Sequence, residues 1–546
     1  MTQPTSSKAL TNRQIASAAA VVLVGFLASG LLGVVRTAVI SATFGTGDAS
    51  DAFLAAQRIP ELIFVLVAGG ALGSSFIPVF SRYLRADDQA GAWRLASSVI
   101  TLSSLAAAVL SLGVAIFAPQ VVGSLLAPGK SPEVQALTVS LTRIMMLTPF
   151  IFSISGLMMG ILQAHGSFLL PSLAISMNNV GLIFGALVLA HIIPAQAGSP
   201  AQVDNANVYG LAWGAVLSAL FHLGIQLPGL LGIKTSVPKM RFLPNWRIPG
   251  VREVMGLMGP RVLGLAVAQI NFIVNANFAS LMVAGSYTAL VNAWTLMFFA
   301  LGIIGQSVGT AVFPSLAALA AEKDIPGFKN RLASALRGVL FLAIPSTLGL
   351  ILLGRPLIAL LYERGEFTPE STNATAWALA FFALGIAGHA GLEVLSRAFY
   401  ALSDTRTPVF VGLASMLSNI VLSIIFIRLI GDPTSLERGP FAGLALANSV
   451  TTLLEALALW WVLRRRIGDI NDRYVWGGIW RTLVGAAAMS VALYLLAMIA
   501  GDRLGTKLLA VVGIPLGAAV FLGVSVLFGM DEPRTVLSAI VRRIKR

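Results

Sequence analysis

Apolar runs of about twenty residues, the length a helix needs to cross a bilayer, recur along this chain from Ile15 to Phe528 with short polar interruptions. Inside hydrocarbon every backbone N–H and C=O must be paired within the protein. Long unbroken runs therefore specify helices, whereas a barrel would show short alternating segments. No water-soluble fold could hide this surface, because 57% of the 546 residues are hydrophobic and only 11% are charged. The expected fold class is an all-α polytopic membrane protein. Fourteen spans are predicted, over residues 17–43, 52–80, 95–127, 134–163, 169–193, 208–232, 254–284, 287–318, 333–361, 371–402, 407–430, 440–463, 476–500 and 506–529.

A net charge of +14 could suggest a nucleic-acid partner, but the positions of the bases argue against one. Of the 37 Lys and Arg, 26 fall in the two termini and the even-numbered loops, 7 in the odd-numbered loops and 4 inside spans. By the positive-inside rule both termini face the cytoplasm, which an even number of spans requires. The expected location is the inner (plasma) membrane of a bacterium. No small-residue cleavage site follows the first apolar run, so an uncleaved first helix is expected. The chain has no cysteine, which excludes disulfides, thiolate metal sites and cysteine nucleophiles.

Fragments recur at an offset near 236 residues. Phe76, Pro78 and Arg94-Leu95-Ala96-Ser97 pair with Phe313, Pro314 and Arg331-Leu332-Ala333-Ser334. Gln163 to Pro171 pairs with Tyr400 to Pro408, and Gly210-Leu211-Ala212 with Gly443-Leu444-Ala445. The order and offset point to two pseudo-symmetric six-helix lobes plus two extra C-terminal helices. The offset spans an even number of helices, so both repeats run in the same sense, about an axis along the membrane normal. The expected organisation is an N-terminal lobe over 1–233, a cytoplasmic linker over 234–253, a C-terminal lobe over 254–465, and helices 13 and 14 with a basic tail over 466–546. Pro238, Pro244 and Pro249 mark the linker either as a hinge for alternating access or as a solvated loop.

No catalytic constellation stands out. The four histidines, His165, His191, His222 and His389, form no i, i+4 metal pair. Pro128-Gly129-Lys130-Ser131 resembles the end of a phosphate-binding loop, but Ser124 stands where that motif needs glycine. What remains are ionisable residues within apolar spans, each costing several kcal/mol unless it meets a wet cavity or a partner. Arg36, Arg58, Arg143 and Arg261 are the cations. Guanidinium groups bind pyrophosphate bidentately, so cavity arginines suit a lipid-pyrophosphate pathway. Arg36 and Arg261 are deep enough for that role, whereas Arg143 could equally pack on a neighbouring carbonyl. Asp51 and Arg58 lie two helical turns apart and are candidates for an ion pair or gate. Glu61, Glu393 and Glu455 lie within spans, and Asn419, Asn448 and Glu455 could form a cation site or interhelical hydrogen bonds.

Several of these stretches are familiar together. DAFLAAQRIPELIFVLVAGGALGSSFIPVF (51–80), GILQAHGSFLLPSLAISMNN (160–179), QINFIVNANFAS (269–280), LYERGEFTPEST (361–372) and SRAFYALSDTRTPV (396–409) resemble, in order, signatures of the MurJ (MviN) lipid II flippase family. The resemblance covers roughly residues 15–465. It implies the fold of the multidrug/oligosaccharidyl-lipid/polysaccharide exporter superfamily, with a cationic central cavity. The implied task is carrying lipid II, undecaprenyl pyrophosphate bearing a disaccharide-pentapeptide, from the cytoplasmic to the outer leaflet by alternating access. Arg36 matches the first-helix arginine of the family, and Asp51 the acid opening the second-helix motif. The chain departs at Gly30, Phe64 and Thr295, where the family carries arginines, and at Thr37, where it carries an acid. Arg261 and Arg143 are expected to restore the positive potential, and the two added helices to form a groove for the lipid tail.

The leading expectation is a transporter in peptidoglycan biosynthesis, and so in cell-wall and cell-shape maintenance, that makes and breaks no covalent bond. Alternatives are an exporter of another polyprenyl-linked glycan or of drugs, and a non-transporting scaffold of cell-wall synthesis. A membrane glycosyltransferase is disfavoured, since the longest outward loop, about 194–207, offers only Asp204. The expected partners are the lipid-linked glycan, membrane lipids and cell-wall synthesis proteins. No cofactor is expected, with coupling left open between Na⁺, H⁺ and the membrane potential, worth about 2.3 kcal/mol per charge per 100 mV.

Overall fold

The structure, a computed structural model, describes residues 12–67, 70–194, 198–235 and 240–533. The side chains of residues 12–24, 26–27, 70–74, 260–261, 263–264, 267–268, 306–307 and 502 lie outside that description. The chain divides into two compact units, Met1–Leu281 and Met282–Arg546.

The first unit contains α1 (Asn12–Phe44), α2 (Asp48–Ala56), α3 (Arg58–Val67), α4 (Gly70–Arg85), α5 (Gln89–Ile116), α6 (Pro132–Ala164), α7 (Leu169–Ile192), α8 (Tyr209–Gly232) and α9 (Pro249–Ser280). The second contains α10 (Ser286–Ala321), α11 (Ile325–Leu361), α12 (Pro369–Ala383), α13 (Ile386–Ala401), α14 (Arg406–Leu429), α15 (Phe441–Ile467), α16 (Asp472–Gly501) and α17 (Arg503–Leu527). A two-residue hairpin pairs Gln202–Val203 with Ala206–Asn207 in an outward loop. Among the described residues, ten helices are long and apolar enough to cross a membrane, or eleven if α12 and α13, bent by 45°, form one span. The chain is an all-helical polytopic membrane protein.

One feature departs from the expected outline: the stretch 52–80 is divided among α2, α3 and α4, with a turn at Gln57. The helix α9 packs on α3 and α4 within the first unit.

Helix starts are written in the sequence as side-chain caps. Asp88 accepts a hydrogen bond from the Gly91 amide at 2.7 Å, and Asp324 accepts one from Gly327 at 2.9 Å. Each cap follows a non-glycine residue with positive φ, Asp87 and Lys323. The 236-residue repeat thus reappears as one turn built twice. Thr368, followed by Pro369, caps α12 in a similar way through the Ser371 amide.

Small residues set how closely the helices approach. Built on Gly181, a Cβ would lie 2.3 Å from the Ser218 Cα, and on Gly185, 2.7 Å from the Gly214 Cα. Side chains here would force α7 and α8 apart, which is the small-xxx-small logic of membrane packing. In the second unit Phe341, Leu353, Met489, Leu493 and Phe521 form a core between α11, α16 and α17. Gly505, at φ 69°, makes the reversal between the last two helices. The Gly185→Leu variant is expected to lose about 3 kcal/mol, read as a lower melting temperature in detergent. Gly224→Leu, whose Cβ meets nothing within 4 Å, serves as the control that should melt like wild type.

Candidate functional site

In the first unit the short loop between Leu126 and Pro132 carries a buried charge. Lys130 Nζ donates to Asp48 Oδ1 and to Asp51 Oδ2, both at 2.9 Å. The Lys130 side chain is 8% exposed and that of Asp51 3%. The loop is seated by its backbone: the Gly129 amide donates to Ser280 Oγ at 3.3 Å, and a Cβ on Gly129 would come within 2.6 Å of the Ser280 carbonyl oxygen. Asn277 on α9 donates to the carbonyls of Ser124 and Leu125, both at 3.1 Å. A run that resembles a phosphate loop in sequence is therefore a lysine strap across two acids. Burial alone would lower the Lys130 pKa, but the two carboxylates outweigh it and hold the ammonium above its ordinary value.

The expected pairing of Asp51 with Arg58 gives way to nearer partners. Asp51 receives Lys130, while Arg58 pairs with Glu61 at 2.9 Å and donates from Nε to the Leu54 carbonyl at 3.1 Å. The Arg58 guanidinium also lies over the Phe272 ring, 5.5 Å from its centroid. The two-turn spacing requires one continuous helix, and the turn at Gln57 interrupts it.

Arg36 sits half-buried on α1, a turn beyond Gly33. The Thr37 hydroxyl donates to the Gly33 carbonyl at 3.0 Å, and Asn179 on α7 donates to the Ser29 carbonyl at 3.2 Å. These contacts seat the arginine-bearing helix on α7. Arg143 is exposed and donates from Nε to the Ala115 carbonyl at 3.0 Å, the packing alternative named for it. The side chain of Arg261, on α9, lies outside the described residues. The Phe64 ring packs tilted against Phe152, with centroids 5.2 Å apart, and Phe152 meets His222 edge-on. Behind it His222, Ser155 and Gln226 form a buried polar knot. Thr295 returns its hydroxyl to the Val291 carbonyl at 2.9 Å.

In the second unit Asn419 donates to Thr451 Oγ1 at 3.4 Å, Asn448 Oδ1 meets His389 Nε2 at 3.1 Å, and Glu455 Oε1 lies 3.3 Å from where a Gly412 Cβ would stand. Thr451 bonds back to the Ala447 and Asn448 carbonyls, and its own carbonyl accepts from Ser415, which also hydrogen-bonds Glu455. Among the described residues, no three His, Cys, Asp or Glu gather as metal ligands. Beside them Arg397 pairs with Glu393 one turn earlier on α13, its guanidinium resting where a Cβ on Gly309 would stand. At the turn after α13, Asp404 accepts from the Thr407 amide at 3.0 Å and its hydroxyl at 2.6 Å, and from Arg466. Burial would raise the Asp404 pKa, but these donors pull it down to about 2.

The family model described as "Lipid II flippase MurJ" matches residues 40–513. The chain belongs to the lipid II flippase MurJ family. The "Lipid II flippase MurJ" of Burkholderia cenocepacia is 31% identical over 471 residues, covering 86% of this chain and 87% of that protein. Among solved structures, "Lipid II flippase MurJ, inward closed conformation" is similar with a TM-score of 0.74 at 24% identity, covering 93% of this chain and 98% of that one. An inward-facing multidrug resistance MATE family transporter of the MOP superfamily is similar with a TM-score of 0.61 at 16% identity, covering 81% and 96%. The family is one of transporters, not enzymes, and its members are multi-pass membrane proteins.

Sequence reasoning missed two residues. Lys130 was visible as a base on the outward side, where bases are scarce, and Arg397 as the i+4 partner of Glu393. Each also meets a residue far away in sequence, since Asp48 and Gly309 lie more than eighty residues from Lys130 and Arg397 respectively.

Two outcomes follow for purified protein. Lys130→Met strands the buried Asp51 carboxylate without its cation and is expected to lower stability by about 3 kcal/mol. Because the folded-state pKa of Lys130 is raised, its contribution is complete below the unfolded value near 10.5 and vanishes as pH rises through the folded one. Melting temperature should therefore fall at alkaline pH in wild type and much less in the variant. Asp404 runs the other way: its pKa is depressed, so its contribution is present above about 3.8 and lost as pH falls toward 2. Asp404→Asn is expected to cost about 1–2 kcal/mol at neutral pH and to flatten the acid limb of the melting profile.

Proposed function

We propose that this chain translocates lipid II from the cytoplasmic to the outer leaflet of the bacterial inner membrane by alternating access. Family membership over residues 40–513 supplies the substrate class. The observation that carries the reading in this chain is Arg36, a half-buried guanidinium well inside an apolar helix that α7 holds in place. A pyrophosphate crossing hydrocarbon needs such a cation, because the local field stands in for lost hydration. Arg36, Asp51 and Arg261 are assigned to the substrate pathway. Arg143 is assigned a packing role through Ala115.

The fuller architecture is fourteen spans with both termini cytoplasmic, as lobes over 1–233 and 254–465, a linker over 234–253, and helices 13 and 14 over 466–546. The exposed apolar faces of α16 and α17, among them Val491, Tyr494, Met498 and Val511, suit an undecaprenyl tail. Cell-wall synthesis proteins are the natural partners, since they consume the product.

The test is depletion of a cell's own lipid II flippase with this chain supplied in trans, scoring outer-leaflet lipid II and survival. Wild type is expected to rescue, Arg36→Ala to lose rescue at equal expression, and Arg143→Ala to retain it. Failure of well-expressed wild type would mean another substrate.

A further inference from the structure

The segment leading into α9 is not a free tether. The Arg241 amide donates to Ser97 Oγ at 3.1 Å and the Leu243 amide to Thr101 Oγ1 at 3.2 Å, two hydroxyls one turn apart on α5. Thr235 donates to Gln89 at 3.1 Å. Farther on, Val251 and Val254 are fully packed, and Arg82 pairs with Glu253. An extended strand is thus pinned along the first turns of α5. Thr101 lies twelve residues into that helix, about 18 Å along its axis. One turn past it Leu105 is exposed, followed by Val109 and Leu112, the lipid-facing side of a membrane helix.

Pinned at that level, the segment turns its largest apolar side chains outward. Phe242 is 80% exposed and Trp246 55%. Around them stand Arg241, Arg247 and Arg252, all exposed, the last two with their guanidinium groups 5.9 and 5.1 Å from the Trp246 ring centroid. Residues 234–252 hold five bases and no acid. Among the described residues none of these three arginines pairs with a carboxylate. An exposed Phe and Trp flanked by unpaired arginines, continuous with a lipid-facing helix, has the chemistry of a bilayer interface rather than of water.

We propose that residues 240–252 form an interfacial strap, with Phe242 and Trp246 inserted below the phosphates of the cytoplasmic leaflet and Arg241, Arg247 and Arg252 binding anionic phospholipid headgroups. The strap fixes the linker to the plane of the membrane and makes its hold depend on leaflet charge. This goes beyond the flippase reading and does not rest on the identity of the substrate.

The absence of cysteine makes the test direct, because single cysteines can be labelled in an otherwise native chain. Nitroxide labels at Phe242→Cys and, separately, Trp246→Cys would be compared in liposomes with and without phosphatidylglycerol. Collision with oxygen is read against collision with a water-soluble nickel chelate. Leu105→Cys gives the lipid reference and Asn205→Cys, in the exposed outward loop, the water reference. The strap predicts oxygen-favoured values near the Leu105 reference, with an oxygen-to-nickel ratio about threefold or more above the water reference in anionic liposomes. Replacing Arg241, Arg247 and Arg252 with Gln should remove the dependence on phosphatidylglycerol. Water-like values at both positions in anionic liposomes would overturn the proposal. So would protection that appears only when a soluble acidic protein is added, or an anionic-lipid response that survives loss of all three arginines.

Discussion

In hydrocarbon an unpaired amide has no water to turn to, and this one constraint shapes the rest of the molecule. It makes helices obligatory and leaves side chains, rather than backbone, to hold helices together. With no hydrophobic force to drive helix against helix, close contact and interhelical hydrogen bonds must do so. The glycines of α7 and α8 and the bond from Asn419 on α14 to Thr451 on α15 are those two devices in this chain. Even the charges obey it: Arg58, Lys130 and Arg397 each carry a carboxylate partner.

Arg36 sits half-buried on a helix that Asn179 fastens to α7. At Phe64 the neighbouring space is filled by an aromatic and polar cluster of Phe152, His222, Ser155 and Gln226, which a longer charged side chain would displace.

The fold was legible because its main signal is composition summed over twenty-residue windows, which no tertiary detail can overturn. The caps emerge only from the structure: Asp88 and Asp324 stand three residues before the glycine whose amide they accept. The breaks were harder. Gln57 and the bend between α12 and α13 lie inside apolar stretches that hydropathy reads as continuous, since hydropathy counts side chains and does not see helix direction.

The candidate site divides along the same line. The sequence by itself determined that the chain crosses a membrane many times and that Arg36 lies within an apolar run. Both depend on residue identity at short range or on average. Only the tertiary structure decided that Lys130, not Arg58, answers Asp51, that Asn419 and Asn448 bond to Thr451 and His389, and that Arg397 lies on Gly309. Ion pairs fall off with distance in space, and packing of helices far apart in sequence sets that distance. Spacing along one helix can nominate a partner, but the neighbouring helix chooses it.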